Sequence, residues 1–269
     1  MKIWYQSFTH PALYPAYNRA LAGLIAGLHE PSTQVDIHCL EQSGGLAKQH
    51  HYLEHLQTTE VLDNVEKAVE AGYDAFAIGH FTDSGLQAAR EIASIPVLGL
   101  GESSMLTACM MGRKFSLVGI NPKSLACVAD NVHAYGLSGR LAGVAAMVFD
   151  EPSALEQGFS DAAARKRVVD SFTQASDQTL AMGSEVIIPA GGIAMAMLTV
   201  AGIHAVGRGA SVLNGIAALI KCAEMAARMN EFMGGRFTSK QLSYAPPTLS
   251  EMEAIRQYHG TQVYRSLRR

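Results

Sequence analysis

AGYDAFAIGH, residues 71–80, and MGSEVIIPAG, residues 182–191, are two copies of one pattern. Each closes a helical stretch with a glycine, places one acid (Asp74, Glu185) and runs an apolar strand into a loop. The similarity continues downstream: Pro96-Val97-Leu98-Gly99 is matched by Ser211-Val212-Leu213-Asn214, and Ala108-Cys109-Met110 by Ala223-Glu224-Met225. Similarity at a near-constant offset marks a duplicated unit. Working outward, bounded apolar runs predict strands at 2–6, 34–39, 75–79, 97–101, 115–120, 142–148, 186–189 and 211–213. Helical patterns lie between them, among them 60–71, with Val61, Leu62, Val65, Ala68 and Val69 on one face, and 122–135, opened by Asn121-Pro122. Strand–helix alternation predicts an α/β fold of two similar Rossmann-like lobes with mainly parallel sheets and a cleft between them. Residues 1–105 with 216–269 would form one lobe and 106–215 the other. Open α/β sheets bind ligands beyond the carboxyl ends of their strands, so the loops after Ile78 and Pro189 should face each other across that cleft.

Composition narrows the function classes. The 269 residues are 48% hydrophobic and 17% charged, enough apolar surface for a sizeable core. With 21 Lys+Arg against 24 Asp+Glu there is no basic excess for nucleic acid, although residues 265–269 are locally basic. Four cysteines (Cys39, Cys109, Cys127, Cys222) lie far apart without CxxC spacing, and MKIWYQSFTH lacks an export-signal core, so the expectation is a cytoplasmic protein with reduced thiols. Residues 186–203 carry no charge, but Pro189 and Gly191-Gly192 break the run, which reads as strand, loop and apolar helix rather than a membrane span. After Tyr244-Ala245-Pro246-Pro247 the chain turns charged and reads as a terminal helix or arm at a subunit contact of a homo-oligomer.

Over residues 1–235 the chain resembles the aspartate/glutamate/hydantoin racemase family. The resemblance rests on residues 72–86 (GYDAFAIGHFTDSGL), Ala89-Arg90-Glu91, Ile95-Pro96-Val97-Leu98-Gly99 with Glu102-Ser103, residues 112–116, Tyr135-Gly136-Leu137 and residues 183–192. It implies cofactor-independent, metal-free isomerisation of a small molecule, with one cysteine per lobe moving a proton on either face of the substrate. The first cysteine would fall at position 80, which is His80; the second at 190 or 191, which are Ala190 and Gly191. The Asn-Pro-Asn expected after the first strand is replaced by Ser7, Phe8 and Thr9. The resemblance therefore implies the fold, while two-thiol chemistry is absent.

His80 is the candidate proton-transfer residue, since an imidazole titrates near neutral pH. Asp83 is expected to orient it or to cap a helix beginning at Ser84. Phe81 and Thr82 share its loop. Ala190, Gly191 and Gly192 would cradle an anion at the start of a helix from Ile193. Glu102 and Ser103 match a substrate-loop position of the family. Ser7, Thr9 and His10 follow the first strand and should point into the same cleft.

Two patterns compete for attention. His51-Tyr52-Leu53-Glu54-His55 has the H-x-x-E-H spacing of a zinc site, but lacks a third ligand and reads as a solvated helix face. The four cysteines read as small packing residues, and Met195–Met197 as helix packing. Three functions share the cleft: proton transfer at the α-carbon of an amino-acid-derived carboxylate or cyclic amide; decarboxylation, elimination or amide hydrolysis; or small-ligand binding without catalysis.

Overall fold

The apolar runs pair into two sheets. The computed structural model describes residues 1–42, 44, 50–148 and 154–267; Arg268 and Arg269 of the basic tail lie outside them. In the first half, β1 (Lys2–Gln6), α1 (Pro15–Ala26), β2 (Gln34–His38), α2 (His51–Glu70), β3 (Ala75–Ile78), α3 (Leu86–Ile92) and β4 (Val97–Gly99) give a parallel sheet in the order β2-β1-β3-β4. Helix α4 (Leu100–Met111) leads into the second half: β5 (Phe115–Gly119), α5 (Pro122–Ala134), β6 (Leu141–Ala146), α6 (Ala154–Gln157), α7 (Ala162–Leu180), β7 (Val186–Pro189), α8 (Gly192–Val200), β8 (Ala205–Val206) and β9 (Ala210–Val212). Its sheet runs β6-β5-β7-β9-β8, with β8 alone antiparallel. The orders β2-β1-β3-β4 and β6-β5-β7-β9 are the same topology, as the sequence duplication requires. Helices α9 (Gly215–Phe232) and α10 (Leu249–His259) complete the chain.

Alternation along the strands sends residues to different cores. Ile3, Tyr5, Ala75 and Ala77 of the first sheet join Phe115, Leu117, Val186 and Ile188 of the second in one central core, together with α1, α4, α8 and α9. Trp4, Phe76 and Ile78 face the other way, under α2 and α3. Val118 and Ile187 pack outward in the second sheet, with Phe172 of α7. Because both lobes share the central core, the carboxyl ends of β3 and β7 are held in fixed relation. Gly79, the residue after β3, shows how tightly: a Cβ there would meet the buried Tyr5 ring at 2.6 Å. Gly79→Ala is expected to cost about 1–3 kcal/mol, the scale of overpacking a close-packed core, read as a lowered urea midpoint.

Several boundaries differ from expectation. Helix α2 starts at His51 rather than 60, because its inward stripe continues in polar residues: Gln57 and Asn64 are buried beside Val61 and Val65. The strand expected at 97–101 stops at Gly99, where α4 begins at once. The charge-free run 186–203 is a strand, a turn and a helix, and no helix among the described residues is long and apolar enough to cross a membrane. The terminal arm folds back on α2 and α3. Lys240 Nζ donates to the carbonyls of Glu91 and Ala93 at the end of α3, Tyr264 Oη donates to Glu91, and the Ser266 N–H donates to Glu66.

Candidate active site

A cavity of about 400 Å³ opens between the carboxyl ends of the two sheets. The first lobe contributes Ser7, Phe8 and Thr9 after β1, Tyr14 and Tyr17 of α1, Glu54 and Gln57 of α2, and residues 79–82 after β3. The second contributes Ile120, Asn121, Ser124, Cys127 and Val128 around the start of α5, Leu155 of α6, and residues 190–194. The two loops singled out by the repeat thus meet at one space. Ser7, Thr9, Phe81, Thr82, Ala190, Gly191 and Gly192 all line it.

His80 is half-buried on the first-lobe side. Its ring stacks on Phe8 with centroids 4.6 Å apart, and its Nδ1 lies 2.7 Å from Thr82 Oγ1. Thr82 Oγ1 donates to Glu54 Oε1 at 2.6 Å, and Ser84 Oγ donates to the same oxygen. Burial pulls the His80 pKa below the ordinary histidine value, opposed by the Glu54 charge. Burial also acts to raise Glu54, but the Ser84 and Thr82 hydroxyls and nearby His80 and His51 outweigh it and hold the carboxyl below its usual range. At neutral pH the site therefore pairs a neutral imidazole with a carboxylate.

The opposite side supplies backbone N–H groups. Helix α8 begins at Gly192, one residue before the expected Ile193, and its N-cap, Gly191, has no capping side chain. The first N–H groups of a helix have no intrahelical partner and carry the positive end of its dipole, so this end can receive developing negative charge. Asn121, also on the wall, caps α5 by accepting the Ser124 N–H. Across the lobes, Glu156 of α6 accepts from the N–H groups of Ala16 and Tyr17 at the start of α1, at 2.7 and 3.2 Å.

Other expectations require correction. Asp83 neither orients His80 nor caps a helix at Ser84. It sits at φ 54°, the next helix starts at Leu86, and its carboxylate accepts from the N–H groups of Gly101 and Glu102 and from Tyr135 Oη. The loop turns this side chain away from the cavity and into the start of α4. Glu102 and Ser103 do not line the cavity: Ser103 is buried in α4, and Glu102 forms an ion pair with Arg90, which fixes α4 against α3. His10 is also outside it, accepting the Ala12 N–H in the turn after β1. The helix face carrying His51 and His55 is not wholly solvated, because Glu54 turns inward to the His80 loop. No group of three metal-ligating side chains occurs among the described residues. Cys127 lines the cavity instead of packing inside a helix bundle, and Cys39 is half-buried beside the Thr9 and Ser7 hydroxyls.

Glu54 is the residue that sequence reading missed. The available signal was its position on the inward stripe of α2, three residues before Gln57 and seven before Val61.

Comparison with known proteins agrees with this geometry. A hydantoin racemase from Pseudomonas sp. (strain NS671) is 37% identical over 94 residues, 35% of this chain and 38% of the relative, so the match spans well under half of that protein. Allantoin racemases from Klebsiella pneumoniae (TM-score 0.70, 24% identity, 92% of this chain and 94% of that one) and Pseudomonas fluorescens (TM-score 0.73, 22% identity, 92% and 97%) share the fold. The Asp/Glu/hydantoin racemase family model matches residues 12–223, which takes in the second sheet, strands β2 to β4 of the first and every cavity-lining loop except the one after β1. Duplicated sheet, shared cavity and sequence match agree, and the chain belongs to the Asp/Glu/hydantoin racemase family.

Proposed function

We propose that the protein moves a proton at the α-carbon of a small cyclic amide of the hydantoin type, without a cofactor, and that His80 does so in place of the family's first cysteine. The observation that carries this reading is the anchoring of His80: Thr82 holds Nδ1 while the residue lines the cavity, which leaves Nε2 as the nitrogen able to take a proton. Abstraction breaks the C–H bond, its electron pair enters the adjoining carbonyl as an enolate, and the proton becomes the Nε2–H of an imidazolium. Residues at the start of α8 line the same cavity, and their N–H groups are the donors this reading assigns to the enolate oxygen.

The choice of an uncharged cyclic amide over a free amino acid follows from the lining. Among the described residues no lysine or arginine lines the cavity, and its one carboxylate is Glu54. A substrate carboxylate would lose hydration without gaining a cation, a cost that an uncharged ring avoids. The apolar wall of Phe8, Tyr14, Tyr17, Ile120, Leu155 and Ile193 suits an apolar ring substituent.

Proton NMR in heavy water, with 5-monosubstituted hydantoins, amino acids and arylmalonate-type acids, tests the reading. The C5–H signal of a hydantoin is expected to disappear under enzyme, with exchange outrunning inversion, because positions 190 and 191 offer no second base. Loss of carboxyl from an arylmalonate would favour decarboxylation through the same one-sided proton delivery. No exchange and no product across the panel would overturn proton-transfer catalysis.

A further inference from the structure

The geometry points to Glu54 as a positioning residue for His80: acting through the Thr82 hydroxyl, it fixes the imidazole in the Nδ1–H tautomer and balances the imidazolium formed when Nε2 takes a proton. The inference rests on the reading of His80 as the proton-transfer group, and it assigns a role to a helix-α2 side chain that the duplicated pattern does not contain.

Proton counting carries it. Glu54 is a carboxylate, so it only accepts. Thr82 and Ser84 each own one hydroxyl proton, and the two protons serve three contacts: one from each hydroxyl to Glu54 Oε1, and one between the hydroxyls themselves at 2.6 Å. Turning the Thr82 proton toward His80 would leave two of those three contacts with no hydrogen between the oxygens, so the arrangement that satisfies the most contacts puts the hydrogen of the 2.7 Å contact between Nδ1 and Thr82 Oγ1 on Nδ1. A neutral ring with hydrogen on Nδ1 has a bare Nε2, the form required of a base. When Nε2 is protonated, the Nδ1–H stays in place and its bond to the hydroxyl–carboxylate chain strengthens as the ring becomes cationic. The ring cannot rotate freely, because Phe8 stacks on it. The loop is held from the second lobe too, where Asn131 Nδ2 donates to the Thr82 carbonyl at 2.7 Å.

The groups around this chain limit what else can set its charge. Glu54 is the acid acting on His80. His51, on the same helix, lies 4.0 Å from Glu54 Oε2 and adds to its ionisation. From α5, Asn131 is neutral, and burial raises the Cys127 thiol, which keeps it protonated. Phe8, from the β1 side, carries no charge. Removing the Glu54 charge should therefore make His80 a weaker base and shift its titration to lower pH.

The test follows the His80 ring nitrogens by 15N NMR against pH in the wild type, Glu54→Gln, Thr82→Val and Thr82→Ser, with α-proton exchange measured in parallel. The wild type should show hydrogen on Nδ1. Glu54→Gln should titrate at lower pH and lose roughly 10- to 100-fold in exchange rate, mostly in kcat, a sizeable part of a general-base contribution. Thr82→Val should lose the tautomer preference, and Thr82→Ser should restore it. Hydrogen on Nε2 in the wild type, or an unchanged titration in Glu54→Gln, overturns the relay even if exchange activity is present. The expected NMR behaviour with no exchange on any substrate overturns the proposed reaction and leaves the relay standing.

Discussion

His80→Ala is expected to lower α-proton exchange by roughly 100-fold or more, the scale on which enzymes lose a general base, while the protein stays folded. The side chain is half-buried at the cavity wall and outside the hydrophobic core clusters, so its removal costs chiefly the stacking on Phe8, about 0.5–1.5 kcal/mol. Two companions separate catalysis from architecture. Added imidazole should restore part of the rate in His80→Ala, since the space vacated opens to the cavity. His80→Cys should return some exchange and make it sensitive to iodoacetamide, because a thiol then stands where the family resemblance places one. The wild-type rate should hold at neutral pH and fall on the acid side, with the midpoint below the usual histidine range, because burial disfavours the imidazolium. Full activity in His80→Ala would make this residue a structural loop histidine and move the chemistry elsewhere in the cavity.

How much of this was readable before folding depends on the distance over which each interaction acts. The strands β1, β3, β5 and β7 are short apolar runs closed by glycine, proline or polar turns, a local signal, and they lie within about one residue of expectation. The duplicated pattern also carried the topology, since equal strand orders in the two sheets place the loops after Ile78 and Pro189 at one cavity. Strand β8 escaped because two residues, Ala205 and Val206, give no period to detect. Roles assigned to polar residues fared worse. Asp83 and Glu102 are adjacent to the cavity loops in sequence, yet the bonds they make, to α4 and to Arg90, direct them away from it. Glu54 is 26 positions from His80, and only the docking of α2 beside the β3 loop joins them. Hydroxyls and carboxylates choose among many partners, so their roles are tertiary properties, whereas an apolar strand has little choice but to be buried.

The same reasoning makes Asp83 the residue whose loss should cost most in stability. Asp83→Ala is expected to destabilise by about 2–4 kcal/mol, since it orphans the N–H groups of Gly101 and Glu102 and the Tyr135 hydroxyl at once. Its carboxylate joins three elements: the His80 loop that carries it, the start of α4, and Tyr135 at the end of α5 in the other lobe. Gly99 leaves room for this, because a Cβ there would lie against the carboxylate. Part of the Ala cost is backbone strain at φ 54°, so Asp83→Gly, which relieves that strain but also lacks the cap, isolates the lost hydrogen bonds. The effect should depend on pH. Burial outweighs the three hydrogen bonds and pushes the Asp83 pKa up to about 7, against 3.8 for a free side chain. A group whose folded pKa is raised stabilises most below its unfolded pKa and loses that contribution as pH climbs through the folded value. The gap in urea midpoint between wild type and Asp83→Ala should therefore be wider at pH 5 than at pH 8. A gap that widens with rising pH would mean that the helix N-terminus and Tyr135 prevail over burial and hold Asp83 ionised. In either case α-proton exchange should fall with the cap, because His80 and Thr82 sit on the loop that Asp83 fastens to α4.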